Sequence, residues 1–305
     1  MSTDALTVEA TSASCCSGTA AASINAPTAS STGGAGQGSG NTIAAEAVCL
    51  PVRDDQSVGS LVDVVSDLIQ LTKPRIVVMI LITTLATAMV GSSGLVTAPQ
   101  MLWLLIGTGA VAASAGAANQ IYESEIDRRM TRTANRPLPA GRMTALPASL
   151  FAAVLGLAGT AVLWLMFGAV PALVGAVTWL LYVLVYTPMK TRTAWNTTMG
   201  AVAGALPMLI GYTAVGGSLA DWTGWLLVGV LVAWQYPHFM AIAWLYRRQY
   251  DAAGFCMTTT VEPTGRNAAL QSVAGSLALI GCGIALCCIP GGWIGSLLTG
   301  AAVVG

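Results

Sequence analysis

Charge is scarce in this sequence. Asp, Glu, Lys and Arg together make up 9% of 305 residues, against about a quarter in an ordinary soluble domain. That deficit excludes a soluble globular protein with a charged surface, and no nucleic-acid partner is expected. Histidine occurs once, at His238. No CxxC pair exists among Cys15, Cys16, Cys49, Cys256, Cys282, Cys287 and Cys288. Their odd number, with the last three in an apolar run, argues against a disulfide framework and for small buried hydrophobes. A secretory signal is lacking from residues 1–58, where no apolar run follows a basic start. A mitochondrial presequence is Arg-rich and acid-poor, yet this stretch holds Arg53 alone against Asp4, Glu9, Glu46, Asp54 and Asp55. Its Ser, Thr, Ala and Gly content predicts a disordered tail.

What the sequence has is apolar length. It is 55% hydrophobic with a mean hydropathy of +0.71. About 20 apolar residues cross a bilayer as a helix. Such runs lie near 75–95, 101–121, 145–165, 169–187, 197–216, 222–243 and 267–289, and an eighth begins at 291–305. Residues 59–305 therefore read as an all-α, polytopic transmembrane bundle. Just before the first span, Leu61, Val64, Val65 and Leu68 fall on one helical face with Asp63 and Asp67 opposite, which predicts a short interfacial helix. Pro74 then suits the first turn of the next helix.

The sparse charge is sorted. With the tail placed in the cytoplasm, all 13 Lys and Arg fall in segments on the cytoplasmic side, around 53–75, 122–144, 188–196 and 244–266. The opposite loops hold none, and their one charge is Asp221. This is the positive-inside pattern, reached from residues other than those that defined the spans.

One segment concentrates ionisable groups at the end of a span: Asn119 to Arg142, NQIYESEIDRRMTRTANRPLPAGR. Asn119, Glu123 and Asp127 are spaced i, i+4, i+8 and lie within about 80° of one another on a helix, with Glu125 pointing elsewhere. Two carboxylates and an amide are hard oxygen donors suited to Mg²⁺, which shares its shell with substrate phosphates. The alternative is a solvated helix end paired with the arginines that follow. Arg132 and Arg136, in a loop stiffened by Pro137 and Pro139, can meet phosphate oxygens in bidentate fashion, or can be topogenic only. Tyr186 and Lys190 end the fourth span, either as a belt aromatic with a snorkelling lysine or as a diphosphate contact. His238, beside Pro237 in the sixth span, reads as a buried hydrogen-bonded group, a haem ligand or a proton-transfer group.

Taken together, these segments resemble the haem O synthases (protohaem IX farnesyltransferases), a branch of the UbiA-type intramembrane prenyltransferases. The matching stretches are LTKPRI at 71–76, the segment 119–142, YTPMKTRT at 186–193, NTTMGAVAGALPMLIGY at 196–212, WQYPHFMAIAW at 234–244 and YDAAGFCM at 250–257. The resemblance implies nine transmembrane helices around a cavity, about eight of them present here, with Mg²⁺, farnesyl diphosphate as donor and haem B as acceptor. It maps the metal motif to Asn119, Glu123 and Asp127, the Tyr-x-x-x-Lys pair to Tyr186 and Lys190, and the histidine to His238. Arg132, Arg136, Lys190, Arg192, Arg248 and Asp251 are then the expected diphosphate contacts. It further implies a cytoplasmic bacterial (inner) membrane location, with haem A synthase or oxidase assembly factors as possible partners.

Two departures stand out. The family carries acids just before Tyr250, where this chain has Arg248 and Gln249, so Asp251 replaces them or Arg248 meets the diphosphate directly. The family also continues through a full eighth and a ninth helix, whereas this chain stops at Gly305, which predicts a truncated bundle. In the implied reaction, the haem 2-vinyl group attacks the allylic carbon as pyrophosphate leaves, water captures the resulting cation, and His238 orients haem or handles a proton. The competing expectations are a UbiA-type transferase acting on a quinone-precursor ring, a transporter, and an inactive haem-binding paralogue.

Overall fold

The structure, a computed structural model, describes residues 60–92, 94 and 96–288. The tail 1–58 and the eighth span lie outside the described residues. Among the described residues every element is helical. The helices are α1 (Leu61–Leu71), α2 (Pro74–Gly91), α3 (Ala98–Asp127), α4 (Ala145–Phe167), α5 (Ala169–Met189), α6 (Asn196–Ala205), α7 (Pro207–Ala214), α8 (Trp222–Leu245), α9 (Arg247–Ala253) and α10 (Arg266–Cys288), with a single helical turn at Thr258–Val261 between the last two.

Six of these, α2, α3, α4, α5, α8 and α10, are long and apolar enough to cross a membrane. Their outward residues confirm the solvent they meet: Leu157 is 74% exposed, Leu165 76% and Leu277 63%, a surface that water would penalise and lipid does not. The expected span at 197–216 is not one helix. Pro207 cannot supply an N–H to the ladder, and its ring crowds the preceding turn. The segment breaks at Leu206 into α6 and α7. The span expected at 101–121 runs on to Asp127, so the acidic face belongs to the spanning helix itself.

Helix α3 packs along α4, α2 along α7, and α8 along α10. Lipid offers no hydrophobic drive between helices, so close approach of small residues matters instead. A Cβ on Gly159 of α4 would stand 2.8 Å from the Gly107 carbonyl of α3. At Gly211 of α7 it would overlap the Thr84 carbonyl of α2. Thr87 of the same helix donates its hydroxyl to the Met208 carbonyl at 2.8 Å.

Helix α1 is capped by Ser60, whose hydroxyl accepts from the Val62 N–H, while Asp63 reaches back to the Ser60 N–H. Its apolar side chains Leu61, Val65 and Ile69 face outward, and Asp67 is buried. A helix on a soluble protein would present the reverse; this arrangement fits the expected interfacial helix.

Candidate active site

Glu123 and Asp127 come from the last two turns of α3, one turn apart. Asn119, Glu123 and Asp127 are all buried, at 0%, 4% and 1% exposure. Glu125 lies on the other side, exposed and paired with Arg128 at 3.2 Å. The chain turns sharply after Asp127. Thr133 donates its hydroxyl to the Asp127 carbonyl at 2.9 Å, satisfying one helix-end acceptor. The prolines then set Leu138 into a cluster with Leu71, Ala117, Ala148 and Ala152. Arg142 closes the loop with bonds to both carboxylate oxygens of Asp67, the shortest 2.9 Å. So anchored, the loop returns Arg136 to Asp127 at 2.5 Å.

The opposing wall comes from α5. Between Leu181 and Tyr186 the helix widens to a π-turn, a feature that often marks functional sites. The Thr187 hydroxyl donates to the Tyr182 carbonyl at 2.8 Å and accepts from the Asn119 amide at 3.0 Å. The wider turn slows the rotation per residue, so Tyr182, Tyr186 and Lys190 all line the same pocket. Gly200 of α6 makes room for Tyr186, since a Cβ there would meet its ring at 2.7 Å. Lys190 does not snorkel outward. Its ammonium lies 2.7 Å from Glu123 Oε1 and 4.7 Å from the Tyr186 ring centre. Helix α9 and the residues just after it form the third wall: Arg132 reaches the Tyr250 hydroxyl at 3.5 Å, and Phe255 and Ala253 pack on Met130.

These walls enclose a polar pocket of about 250 Å³. Four cations line it, Lys73, Arg132, Arg136 and Lys190, against two carboxylates, Glu123 and Asp127. Basic side chains outnumber acidic ones two to one. A second, apolar cavity of about 600 Å³ lies between α2, α3, α5, α6 and α8. The two share Lys73, Ile76, Tyr182, Tyr186, Phe239 and Ile242, so one opens into the other. A charged chamber leading to an apolar one suits an amphiphile with an anionic head and a hydrocarbon tail.

The expected site residues divide. Glu123, Asp127, Arg132, Arg136, Tyr186 and Lys190 line the polar pocket. Asn119 sits beneath it, its amide already committed to Lys73 and Thr187. His238 lines the apolar cavity, exposed and stacked on Trp234 with ring centres 4.9 Å apart; it is not the buried, hydrogen-bonded histidine that its position in a span allows. Arg192, Arg248 and Asp251 are exposed and line neither chamber.

Lys73 was not among the expected site residues. It is the sole non-glycine residue at positive φ among the described residues (φ 55°), a conformation costing about 1–2 kcal/mol. The kink turns its side chain inward to Asn119 Oδ1. Burial, and then the neighbouring Lys190 charge, holds its ammonium down to about 7. No sequence signal marks this, because a residue before proline ordinarily favours extended backbone, and Lys73 departs from that preference.

The UbiA prenyltransferase family model matches residues 80–305. A Rhodopirellula baltica protein named protoheme IX farnesyltransferase is 62% identical over 238 residues, covering 78% of this chain and 83% of that one. A Solibacter usitatus protein of the same name is 43% identical, covering 70% and 76%. Among solved structures, a UbiA homolog from Archaeoglobus fulgidus bound to GPP and Mg²⁺ superposes with a TM-score of 0.57 at 15% identity, covering 71% of this chain and 77% of that one. The chain belongs to the UbiA prenyltransferase family, within which its relatives are the protoheme IX farnesyltransferases.

Proposed function

We propose that this chain transfers the farnesyl group of farnesyl diphosphate to the 2-vinyl group of haem B, giving haem O and diphosphate. The carrying observation is the pocket pair: a cationic chamber holding two buried carboxylates, continuous with an apolar cavity. The name that the relatives carry, protoheme IX farnesyltransferase, supports this choice of transferred group and acceptor.

The donor set fits Mg²⁺. Glu123 and Asp127 offer hard oxygens one helical turn apart, both buried and both lining the polar pocket. Among the described residues no third acidic, His or Cys ligand joins them, so a bound Mg²⁺ would draw its other ligands from diphosphate oxygens and water. Mg²⁺ bound there supplies a Lewis acid that neutralises charge on the leaving diphosphate.

The chain's own groups do the rest. Arg132, Arg136, Lys190 and Lys73 surround the diphosphate and stabilise negative charge as it accumulates on the leaving group. Arg136 and Lys190 are held inward by Asp127 and Glu123 before substrate arrives, so little reorganisation is required. Asn119 positions Lys73 and Thr187. The apolar walls exclude water from the allylic carbon, and Tyr182 and Tyr186, at the junction of the chambers, present π faces to cationic character there. The vinyl carbon then forms the new bond to the allylic carbon as the carbon–oxygen bond to diphosphate breaks. Water adds to the haem-side cation, and its proton leaves to solvent.

The charge pattern supports a bacterial inner membrane location with the tail and the charged chamber cytoplasmic. Expression in a strain lacking its own haem O synthase tests the proposal. Haem O in pigment extracts supports it, and haem B alone alongside abundant membrane-inserted protein overturns it.

A further inference from the structure

One cation on the cavity wall has no role in the diphosphate chamber. Arg75, in the first turn of α2, lines the apolar cavity and not the polar pocket. It is exposed, and among the described residues it makes no ion pair. The same cavity is lined from α8 by Trp234 and His238. Their rings are nearly parallel, 14° apart and stacked. Trp234 is 44% exposed. Helices α2 and α8 touch each other only slightly, so the cavity is weakly closed between them.

This combination is odd for a cavity built to hold a hydrocarbon chain alone. A prenyl tail needs neither a flat aromatic wall nor a free guanidinium. Both suit a large planar π-system carrying carboxylates on one edge. An aromatic pair offers offset stacking to such a plane, and arginine offers a planar, two-pronged donor to a carboxylate. The charge also lies where it must. Carboxylates cannot be buried at the bilayer centre without a large cost, and Arg75 is one residue into α2, at the end that also bears Lys73.

We infer that Arg75, with the Trp234–His238 pair, forms the acceptor subsite, in which Arg75 takes a propionate carboxylate of a porphyrin whose face stacks on the aromatic wall. This rests on the proposed acceptor being haem B. In haem B the propionates occupy the edge opposite the vinyl groups. A propionate held at Arg75 therefore leaves the vinyl edge directed inward, towards Tyr182 and Tyr186 where the two chambers meet. Arg75 is a binding and orienting residue for the acceptor and makes no contact with the diphosphate.

The test uses the full chain in nanodiscs of phosphatidylcholine. Haem B and its dimethyl ester, in which both propionates are neutral, are titrated by Soret absorbance and tryptophan quenching. The native chain is expected to bind the ester about tenfold more weakly than haem B, the scale of one charge-assisted hydrogen bond. Arg75→Gln should weaken haem B by about tenfold and leave the ester unchanged, and Arg75→Lys should recover part of the difference. Unchanged ester affinity itself shows that the variant is folded. If Arg75→Gln loses both ligands, Arg75→Lys decides: a lysine variant that still separates acid from ester upholds the subsite, and one that binds both alike overturns it. If Arg75→Gln binds both as the native chain does, Arg75 only anchors α2 to lipid phosphates and the inference is wrong. A native chain that makes haem O while Arg75 is inert overturns the subsite and leaves the function standing. One that separates acid from ester through Arg75 yet makes no haem O does the opposite.

Discussion

The Lys190 ammonium sits 2.7 Å from Glu123 Oε1, although the two residues belong to different helices and neither side chain is more than 15% exposed. Beside them Arg136 holds Asp127 at 2.5 Å. Each carboxylate proposed to meet the metal is thus already matched by a cation proposed to meet the diphosphate. Without ligand the site already holds its acids paired and its cations turned inward, contacts that metal and diphosphate would take over on binding.

Removing one acid should therefore disable chemistry more than folding. Asp127→Asn preserves shape and can still accept from Arg136. Haem O formation should fall by at least about a hundredfold, the scale on which single transition-state electrostatic contacts act. Elution of the purified variant as a single species should be unchanged. Haem O output near that of the native chain would sink the metal assignment.

Metal dependence follows from the donor count. With two carboxylates and no further acidic ligand among the described residues, a metal held there would complete its shell from diphosphate and water. Chelation with EDTA should stop haem O formation, and Mg²⁺ should restore it. Ca²⁺ should restore it poorly, because it demands longer bonds and more ligands. Turnover that survives exhaustive chelation would contradict the proposed role.

The Arg142–Asp67 pair joins α1 to the loop that carries Arg132 and Arg136. Its guanidinium side is 43% exposed, so solvent screening limits its worth to about 1 kcal/mol. Arg142→Ala and Asp67→Ala should each lower the detergent melting temperature by a few degrees, and the double variant should lose little more than either single one. Additive losses would show that the two residues act separately. Activity should also drop, because a loosened loop misplaces Arg136.

Much of this was readable in advance, and the failures have physical causes. Asn119, Glu123 and Asp127 share a face because the helical period dictates it, and spacing alone reveals that. Arg132, Arg136 and Lys190 were legible as cations near that face. In the sequence Lys73 and Arg75 count only towards the positive-inside pattern and the LTKPRI stretch, since a lysine that snorkels and one that turns inward have the same sequence; only the left-handed backbone at Lys73 distinguishes them. The π-turn within LYVLVY leaves no trace in an apolar run. The break at Pro207 was available from proline chemistry but was masked by the hydropathy of the flanking residues. Arg192, in the loop after α5, and Arg248 and Asp251, on α9, are exposed and line neither chamber, a matter of side-chain direction that position in the sequence cannot convey.

Close helix contact makes another point testable. Gly211 of α7 approaches α2 so closely that any Cβ overlaps the Thr84 carbonyl. The obstacle is backbone, which cannot swing aside as a side chain does. Gly211→Ala should destabilise the protein by about 1–3 kcal/mol and lower its yield from membranes. A melting temperature equal to that of the native chain would show that α2 and α7 pack less tightly than described.

The last prediction separates backbone strain from side-chain function at Lys73. Its left-handed conformation is unfavourable for any residue with a Cβ and free of that penalty for glycine. Its ammonium meets Asn119 and faces the chamber that receives diphosphate. Lys73→Ala removes the ammonium and keeps the strain; Lys73→Gly removes both. The glycine variant should therefore be the more stable of the two by about 1 kcal/mol, measured by thermal unfolding in one detergent. Both should bind farnesyl diphosphate about equally poorly, because the lost cation is the same. If the alanine variant is the more stable, the backbone at this position is not strained. If the two differ widely in farnesyl diphosphate affinity, the conformation of the chain, rather than the charge it carries, is what residue 73 contributes to the site.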